Sequence, residues 1–311
     1  MIQVENLSKT YKTLSTKKEA LKNVSFSVKE KEVLGILGMN GAGKSTLIKI
    51  LSTVLNRDSG LIRMAGYSIE DIMNYKKTFT VALQNSSLES WLSVEENLKI
   101  YGKFFGLNKS ILQNKTEEVI GLFQLDEFRK KRASELSGGY KKRLQLARSF
   151  LVDTPVMMFD EPTAGLDPIA KNQVIKTLKE KAAEGKSIIF TTQIIPEAEA
   201  LCDKLLILKD GITISNGKIS DIKSIFNLKN TVEFKFNKVT ESIYNEAVFI
   251  CKRKENLRPK IDGDSILFNL SMYDNMDKKL INELFEKLTP IYLGIKEPTL
   301  EEVFIELVKE K

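Results

Sequence analysis

A glycine-rich stretch from Gly38 to Thr46 carries the residue types that bind phosphate groups. Its sequence, Gly-Met-Asn-Gly-Ala-Gly-Lys-Ser-Thr, fits the phosphate-loop pattern G-x-x-x-x-G-K-[ST]. Glycines let the backbone curl so that successive N–H groups converge on an anion. In this pattern the lysine ammonium reaches the β and γ phosphates, and the serine hydroxyl ligates Mg²⁺. The loop therefore predicts a nucleoside triphosphate site, with contacts from Asn40, Gly41, Ala42, Gly43, Lys44, Ser45 and Thr46.

The segments on either side of this loop are of the kinds that such a loop needs. Val33 to Leu37 is an apolar run typical of a short buried strand, and Thr46 to Leu51 opens a helix. The positive N-terminal end of that helix would face the phosphates. The alternative is a glycine-rich turn without function, and the strand-loop-helix context disfavours it.

A pair of carboxylates follows a second apolar strand. Val156 to Phe159 has the pattern of a buried strand and delivers Asp160 and Glu161 to its carboxyl end. Asp160 would act on Mg²⁺, usually through water, and Glu161 would polarise the attacking water as a general base. Strand ends are often acidic, so this interpretation depends on the phosphate loop upstream.

The stretch Leu136-Ser137-Gly138-Gly139 precedes a basic helix that runs to Leu151. A Ser-Gly-Gly sequence before a helix N-terminus can form a second anion cradle. This stretch resembles the signature motif of ATP-binding cassette (ABC) ATPases. In that family two subunits sandwich two ATP molecules, and the signature of one completes the phosphate loop of the other. The resemblance implies that Ser137, Gly138 and Gly139 contact ATP in trans; a purely structural helix cap is the alternative.

Three further stretches match the family in the expected order. Tyr11 matches the aromatic residue that stacks on adenine, although a core tyrosine is the alternative. Gln84 follows the strand from Thr80 to Leu83 and matches the glutamine that contacts Mg²⁺ and the attacking water; a polar strand end is the alternative. The stretch from Pro162 to Asp167 matches the D-loop, which crosses the dimer interface, and it would also suit a simple strand-to-helix turn.

One position departs from the usual family pattern. Gln193 follows Thr191-Thr192 where a histidine is usual, and glutamine donates hydrogen bonds but carries no charge. We expect Gln193 to support hydrolysis. Glutamine at this place resembles the daunorubicin-resistance branch of ABC exporters, and the stretch from Glu297 to Phe304 resembles the ending of that branch. Tyr140, where many members have glutamine, is a smaller departure.

The order of patterns along the chain predicts an α/β fold of the P-loop NTPase type. Strands alternate with helices, which indicates a mainly parallel sheet covered on both faces. Residues 2–7 and 19–29 read as strands of a small antiparallel layer, and residues 93–150 as a helical subdomain. These elements make up a nucleotide-binding domain over residues 1–225.

The pattern restarts near Asn230. Residues 230–311 show the order β-α-β-β-α-β, which predicts a small C-terminal α+β domain of the split-βαβ type. A last helix follows, with Thr299 and Glu302 spaced as a capping box. Its apolar positions form one stripe at Leu300, Val303, Phe304, Leu307 and Val308. We expect the stripe to pack on the core of its own domain, with a partner chain as the alternative.

Composition narrows the function classes. The 311 residues include 48 basic and 41 acidic side chains, a net charge of +7 that we read as a solvated surface, with binding to a nucleic acid or an anionic membrane surface as the alternative. No apolar run approaches the ~20 residues that span a bilayer, and no signal peptide is visible. Two cysteines fit a reducing cytosol. The absence of histidine leaves acid–base and metal roles to carboxylates, amides and hydroxyls.

The resemblance implies a Mg²⁺-dependent ATPase that drives a transporter, expected to be an exporter. Its partners would be separate transmembrane permease subunits and a second cassette, expected to be an identical copy, at the cytoplasmic face of the membrane. The surface from Gln84 to about Tyr101, with Trp91 and Leu92, would receive the permease; a core tryptophan is the alternative for Trp91. A soluble ABC ATPase acting on ribosomes or nucleic acid is the runner-up, although no nucleic acid partner is expected. A simple P-loop kinase or GTPase is disfavoured by the Ser137–Gly139 stretch.

Overall fold

The chain divides into two compact units, Met1–Ile219 and Ser220–Lys311. The structure is a computed structural model and describes residues 1–12, 17–84, 87–225, 230–252, 254, 257–270, 274–296 and 299–309. Among the helices of these residues, none combines the length and the apolar character that crossing a bilayer requires.

The first unit is built around a six-stranded sheet with a second, four-stranded sheet beside it. Its strands are Ile2–Lys12 (β1), Lys17–Val28 (β2), Val33–Leu37 (β3), Ser59–Met64 (β4), Tyr67–Ser68 (β5), Phe79–Ala82 (β6), Val156–Asp160 (β7), Ser187–Thr192 (β8), Lys204–Lys209 (β9) and Ile212–Lys218 (β10). Its helices are Lys44–Leu51 (α1), Ile72–Tyr75 (α2), Val94–Phe104 (α3), Lys109–Leu122 (α4), Gly138–Leu151 (α5), Pro168–Ala183 (α6) and Ile195–Leu201 (α7); the next helix, Ile219–Ile225 (α8), begins at the unit boundary.

The larger sheet has the order β10-β9-β3-β8-β7-β6. Strands β9, β3, β8, β7 and β6 pair in parallel, and β10 pairs with β9 in the antiparallel sense. Every residue of β3, β7 and β8 is buried, as expected for parallel strands covered on both faces. The mainly parallel sheet predicted from the sequence is therefore present.

Strand β10 was not predicted. Its residues are mostly polar and none is buried, because it lies at the edge of the sheet. The signal for it is the two-residue turn Asp210-Gly211 after β9, in which both residues have positive φ (49° and 79°). Asp-Gly with both φ values positive is a preferred hairpin turn, so the sequence did contain a hairpin pattern here.

The smaller sheet is antiparallel, with the order β2-β1-β4-β5. This is the predicted antiparallel layer. Its buried side chains, such as Val4 and Phe26, belong to one core together with Leu34 and Ile36 of β3 and the apolar face of α1. The layer is thereby fixed against the sheet that carries the phosphate loop.

Helices α3, α4 and α5 form the helical block that interrupts the alternation of strands and helices. Helix α3 begins at a capping box, in which the Ser93 hydroxyl accepts from the Glu96 N–H and the Glu96 carboxylate accepts from the Ser93 N–H. Asn108 caps α4 in the same way through its side-chain oxygen. Helix α4 therefore begins at Lys109, directly after that cap.

The second unit contains Asn230–Lys235 (β11), Glu241–Cys251 (α9), Lys260–Asp262 (β12), Ser265–Leu270 (β13), Asn275–Leu288 (α10), Tyr292–Lys296 (β14) and Leu300–Lys309 (α11). Its antiparallel sheet has the order β12-β13-β11-β14, and its β-α-β-β-α-β sequence of elements is the predicted one. Alternate residues of β11 and β13, such as Phe234 and Phe268, point into a core of this unit. Helix α9 begins after Thr240, whose hydroxyl accepts from the Ile243 N–H, and ends at Cys251.

The last helix, α11, has the predicted capping box. The Thr299 N–H donates to the Glu302 carboxylate (2.8 Å) and the Glu302 N–H donates to the Thr299 hydroxyl (3.2 Å). Leu300, Val303 and Leu307 are buried. What they pack against stays a prediction, and the side chain of Val308, like residues 297 and 298 of the quoted ending, lies outside the described part.

Candidate nucleotide-binding site

The phosphate loop lies between the carboxyl end of β3 and the first turn of α1. Gly41 and Gly43 have φ values of +83° and +108°, which side chains disfavour. A Cβ on Gly43 would also lie 2.6 Å from the Ala20 carbonyl oxygen of β2. Gly43 is the N-cap residue of α1, so the helix N-terminus opens directly from the loop. The geometry is that of an anion-binding loop at a helix N-terminus.

Lys44 lies under this loop and is only 5% exposed. Its ammonium donates to the carbonyl oxygens of Gly38 (2.8 Å) and Met39 (3.2 Å). It also lies 3.6 Å from the Glu161 carboxylate. The ammonium is therefore held at the centre of the loop, where an incoming phosphate would meet it.

Asp160 and Glu161 stand at the carboxyl end of β7, and a residue that we did not predict orients both. The Thr191 hydroxyl donates to Asp160 Oδ1 (2.7 Å) and accepts from the Glu161 N–H (2.9 Å). Thr191 is the register partner of Asp160 in the neighbouring strand β8. Glu161 has a φ of +48°, a costly value for a residue with a side chain. The hydrogen bond from the Glu161 N–H to the Thr191 hydroxyl supports this conformation.

Gln84 and Tyr11 reach the same place from two other elements. The Gln84 amide, just after β6, donates to Glu161 Oε2 (3.1 Å). Tyr11, near the end of β1, places its hydroxyl 3.3 Å from the Thr46 hydroxyl, and its ring is 40% exposed. An exposed ring beside the first turn of α1 is available for stacking on a base.

These residues surround one open cleft of about 260 Å³. Its lining consists of Tyr11, Lys18, Ala20, Asn40, Gly41, Gly43, Lys44, Ser45, Thr46, Gln84 and Glu161. Two of the residues predicted to contact the nucleotide or Mg²⁺ are buried: Ala42 within the phosphate loop, and Asp160 next to Glu161. Lys18 and Ala20 were not predicted; a signal for them is their proximity in sequence to Tyr11 in a hairpin.

The signature stretch does not line this cleft. Ser137 is the N-cap residue of α5, where its exposed side chain makes no capping hydrogen bond. Gly138 is exposed, and a Cβ on Gly139 would lie 3.8 Å from the carbonyl oxygen of Gly165. The signature and the D-loop stretch 162–167 are therefore neighbours on the same chain. Neither lines the cleft at the phosphate loop.

Tyr140, the unusual residue of the signature, lies in a stack of rings and cations. Its ring centroid is 4.0 Å from that of Phe128, and the Arg143 guanidinium lies 5.2 Å from the Tyr140 ring. Arg143 donates to Asp167 Oδ2 (3.0 Å) and to Gln124 Oε1 (2.8 Å). The Ala170 N–H and then Arg143 hold the pKa of Asp167 below its ordinary value. Arg143 thus joins the end of α4, the signature helix and the D-loop.

Gln193 follows β8 and is exposed; it is absent from the residues that line the cleft. The preceding residue, Thr192, is hydrogen-bonded to the buried carboxylate of Glu197, for which no role was predicted. Glu197 Oε2 accepts from the hydroxyls of Thr192 (3.1 Å) and Thr163 (2.6 Å), the latter in the D-loop stretch. The loop that carries Gln193 and the D-loop are therefore connected through one side chain.

Comparison with known proteins places this geometry in a family. The family model described as ABC transporter matches residues 21–164. The linearmycin resistance ATP-binding protein LnrL of Bacillus subtilis is 30% identical over 313 residues, which cover 99% of this chain and 98% of that protein. The chain belongs to the ABC transporter ATP-binding proteins.

Two other relatives of this ABC protein match a smaller part of the chain. The doxorubicin resistance ATP-binding protein DrrA of Mycobacterium tuberculosis is 34% identical over 71% of this chain and 67% of its own length. The Nod factor export ATP-binding protein I of Rhizobium etli is 36% identical over 71% and 69%. These relatives are consistent with the export branch that the Gln193 stretch resembles.

Solved ABC structures share the fold of the cassette. A structure of the ATP-binding subunit of an ABC transporter has a TM-score of 0.67 and 29% identity, covering 73% of this chain and 93% of that one. The dimeric cassette MJ0796 in a post-hydrolysis state with ADP and Pi has a TM-score of 0.65 and 25% identity, over 70% and 98%. The chain is therefore an ABC ATPase, which binds ATP and hydrolyses it.

Proposed function

We propose that this ABC ATPase powers an exporter by closing as a dimer around two ATP molecules and driving separate membrane subunits. One observation carries the proposal. Ser137 to Gly139 do not line the cleft that gathers the phosphate loop, Gln84 and Glu161. A γ-phosphate cradle from a second copy would complete the site, and the dimeric form of the MJ0796 cassette supports this arrangement.

Within the cleft each side chain has a role that its position supports. Lys44 would exchange its carbonyl contacts and Glu161 for the β and γ phosphates of ATP. Glu161, released from Lys44, would accept the proton of the attacking water, which the Gln84 amide would orient. The Tyr11 ring would stack on adenine.

The oxygen atoms near the phosphate loop fit Mg²⁺. Ser45 and Gln84 line the cleft, and Asp160 supplies one buried carboxylate behind it. Mg²⁺ is usually bound by one or two carboxylates together with substrate phosphates and water, so this sparse protein set is sufficient. The metal would neutralise charge on the γ-phosphate during transfer to water.

Export rather than import is supported by the names of the relatives, which include drug resistance and Nod factor export proteins. The membrane subunits would dock beside α3, where Trp91 is 67% exposed and Leu92 is half-buried. An exposed tryptophan is enriched at protein interfaces. The chain would then work at the cytoplasmic face of the membrane.

Dimerisation is tested by light scattering of the Glu161→Gln protein, which should bind ATP without hydrolysing it. We expect the apparent mass to double with saturating Mg-ATP. Ser137→Arg in the same background is the matched control, because it blocks the signature and leaves the cleft residues intact. Glu161→Gln protein that stays monomeric with Mg-ATP and its membrane subunits would contradict the sandwich.

Export is tested in cells that carry the chain together with a candidate multispan membrane protein, sought first in the neighbouring reading frame. We expect the two to copurify, and ATP-dependent loss of cargo from inside-out vesicles would indicate import instead. Trp91→Ala should weaken copurification while nucleotide binding is unchanged. Copurification with ribosomes and no membrane subunit would favour the soluble alternative.

A further inference from the structure

Strand β2 runs beside the phosphate loop and places a second lysine there. The Ala20 carbonyl of β2 contacts the loop at Gly43, and the Lys18 ammonium lies 3.9 Å from the position of a Cβ on Gly41. Lys18 and Ala20 both line the cleft. Lys18 therefore faces the same loop backbone whose N–H groups converge on phosphate.

The antiparallel pairing of β1 with β2 fixes this position. Lys18 lies directly opposite Tyr11, and the neighbouring pairs Thr10 with Glu19 and Lys12 with Lys17 continue the register without a shift. Directly opposed residues point to the same face of a sheet. Tyr11 approaches the loop at Thr46, where its hydroxyl makes a contact of 3.3 Å. The Tyr11–Lys18 pair therefore lies across the loop, with the ring at the helix end and the ammonium near Gly41.

The charges of the cleft leave Lys18 available for an anion. Its charged lining residues are Lys18, Lys44 and Glu161. Lys44 and Glu161 form an ion pair of 3.6 Å. Among the described residues Lys18 forms no ion pair within 4 Å, whereas Lys22 on the same strand pairs with Glu19 at 3.9 Å.

We propose that Lys18 is a second cationic ligand, besides Lys44, for the phosphate chain of the bound nucleotide. This rests on the proposed function, in which the loop from Gly38 to Thr46 holds ATP. An ammonium over the outer side of the loop would pair with phosphate oxygens that Lys44, beneath the loop, does not reach. An ion pair between the Lys18 ammonium and a phosphate would be partly exposed to solvent, so its contribution to affinity would be moderate.

The test is calorimetric titration of the full chain with the non-hydrolysable analogue AMP-PNP and with inorganic triphosphate, each with Mg²⁺. Lys18→Ala should raise the Kd for both ligands by roughly 3- to 5-fold, since an exposed charged pair is worth up to about fivefold in affinity. Lys18→Arg should keep both Kd values within about twofold of wild type because it retains the charge. Lys22→Ala, which removes one lysine of β2 outside the cleft, should leave both unchanged.

Several outcomes would overturn the assignment. Unchanged Kd values for Lys18→Ala would do so, as would an equal loss in Lys22→Ala, which would indicate only the general field of β2. A loss for AMP-PNP with no loss for inorganic triphosphate would place Lys18 at the nucleoside. Thermal melting of each variant distinguishes misfolding from loss of the contact between Lys18 and phosphate. Lys18→Arg retains the charge, so normal binding by this variant would attribute the loss in Lys18→Ala to the missing charge. Failure of the wild-type chain to bind AMP-PNP would instead contradict the proposed function.

Discussion

The Thr191 hydroxyl is hydrogen-bonded to two neighbouring residues of the candidate site. It donates to the buried Asp160 carboxylate and accepts from the Glu161 backbone, so a single group orients the residues proposed for metal binding and for water activation. Removing the hydrogen-bond partner of a buried carboxylate or N–H lowers the stability of a folded protein by about 1–3 kcal/mol. The Thr191 hydroxyl is therefore a positioning group for both carboxylates.

Thr191→Val should lower stability by about 1–3 kcal/mol, because it keeps the shape of the side chain and removes the hydroxyl. We also expect the ATPase kcat to fall by roughly tenfold or more, since misplaced catalytic groups lose rate steeply. Urea unfolding and steady-state phosphate release measure the two effects. Thr191→Ser restores the hydroxyl and should recover most of kcat; a Ser variant as slow as the Val variant would contradict a positioning role.

Gln193 is exposed and does not line the cleft of a single chain, so we expect it to act only in the closed dimer. Gln193→Ala should lower kcat by roughly 10²-fold with little change in KM, the loss typical of one missing hydrogen-bond donor to developing charge. The measurement is Mg-ATP turnover with the membrane subunits present. Wild-type turnover no higher than that of Glu161→Gln would show that Gln193 does not support hydrolysis.

The two thiols should be unreactive in the folded chain. Cys202 and Cys251 are both buried, and burial raises the pKa of Cys251 to about 11 and that of Cys202 further. At pH 8 both groups are protonated, and thiols react through the thiolate. We expect slow modification by dithionitrobenzoate in the native protein and two equivalents after unfolding in guanidinium; fast native labelling would contradict the burial.

At the scale of elements, helix α5 connects the signature to the D-loop. Its N-terminus presents Ser137 and the two glycines, while Tyr140 and Arg143, within the next two turns, join Phe128 and Asp167. Tyr140 departs from the usual glutamine, and its ring provides the stacking surface between Phe128 and Arg143. The signature and the D-loop are thereby held in one arrangement on the chain.

Tyr140→Ala should weaken ATP-dependent dimerisation of Glu161→Gln protein, because the surfaces expected to meet a second copy lose their support. Its cost in stability should be about 1–2 kcal/mol, given the value of a ring pair and its cation contact. Calorimetric affinity for AMP-PNP should be unchanged, since Tyr140 does not line the cleft. Tyr140→Phe keeps the ring and should dimerise normally; equal loss in both variants would contradict stacking as the cause.

At the scale of the whole molecule, every described residue that lines the nucleotide cleft lies in the first unit, Met1–Ile219. The second unit has its own antiparallel sheet and its own core. Nucleotide binding and the role of the C-terminal domain should therefore be separable.

A chain that ends at Ile225 should fold and bind AMP-PNP within about threefold of the full chain, a difference below 1 kcal/mol. Circular dichroism and calorimetry measure folding and affinity. The full chain with Lys44→Ala is the control for lost binding, because it removes the ammonium at the loop. A folded truncated chain that fails to bind would show that the second unit contributes to the site.

The sequence alone determined the elements whose information is local. The phosphate loop, the acidic end of β7 and the Ser-Gly-Gly at the start of α5 are continuous stretches, so their residue types and spacing specify their backbone conformation. The order of strands and helices followed from hydrophobic periodicity in the same way. Edge strand β10 was missed because a polar strand exposed at a sheet edge carries little periodic signal.

The tertiary structure decided which distant residues meet. Thr191 reaches Asp160 through the register of two parallel strands, Arg143 reaches Asp167 across two helices, and Lys18 reaches Gly41 through the placement of β2. Each contact depends on how separate elements pack, which no local pattern encodes. The phosphate loop and the signature were both readable in the sequence, but their separation within one chain became visible only in the fold. The chain segment between them contains strands β4, β5 and β6 as well as helices α3 and α4, and the signature does not line the cleft at the phosphate loop.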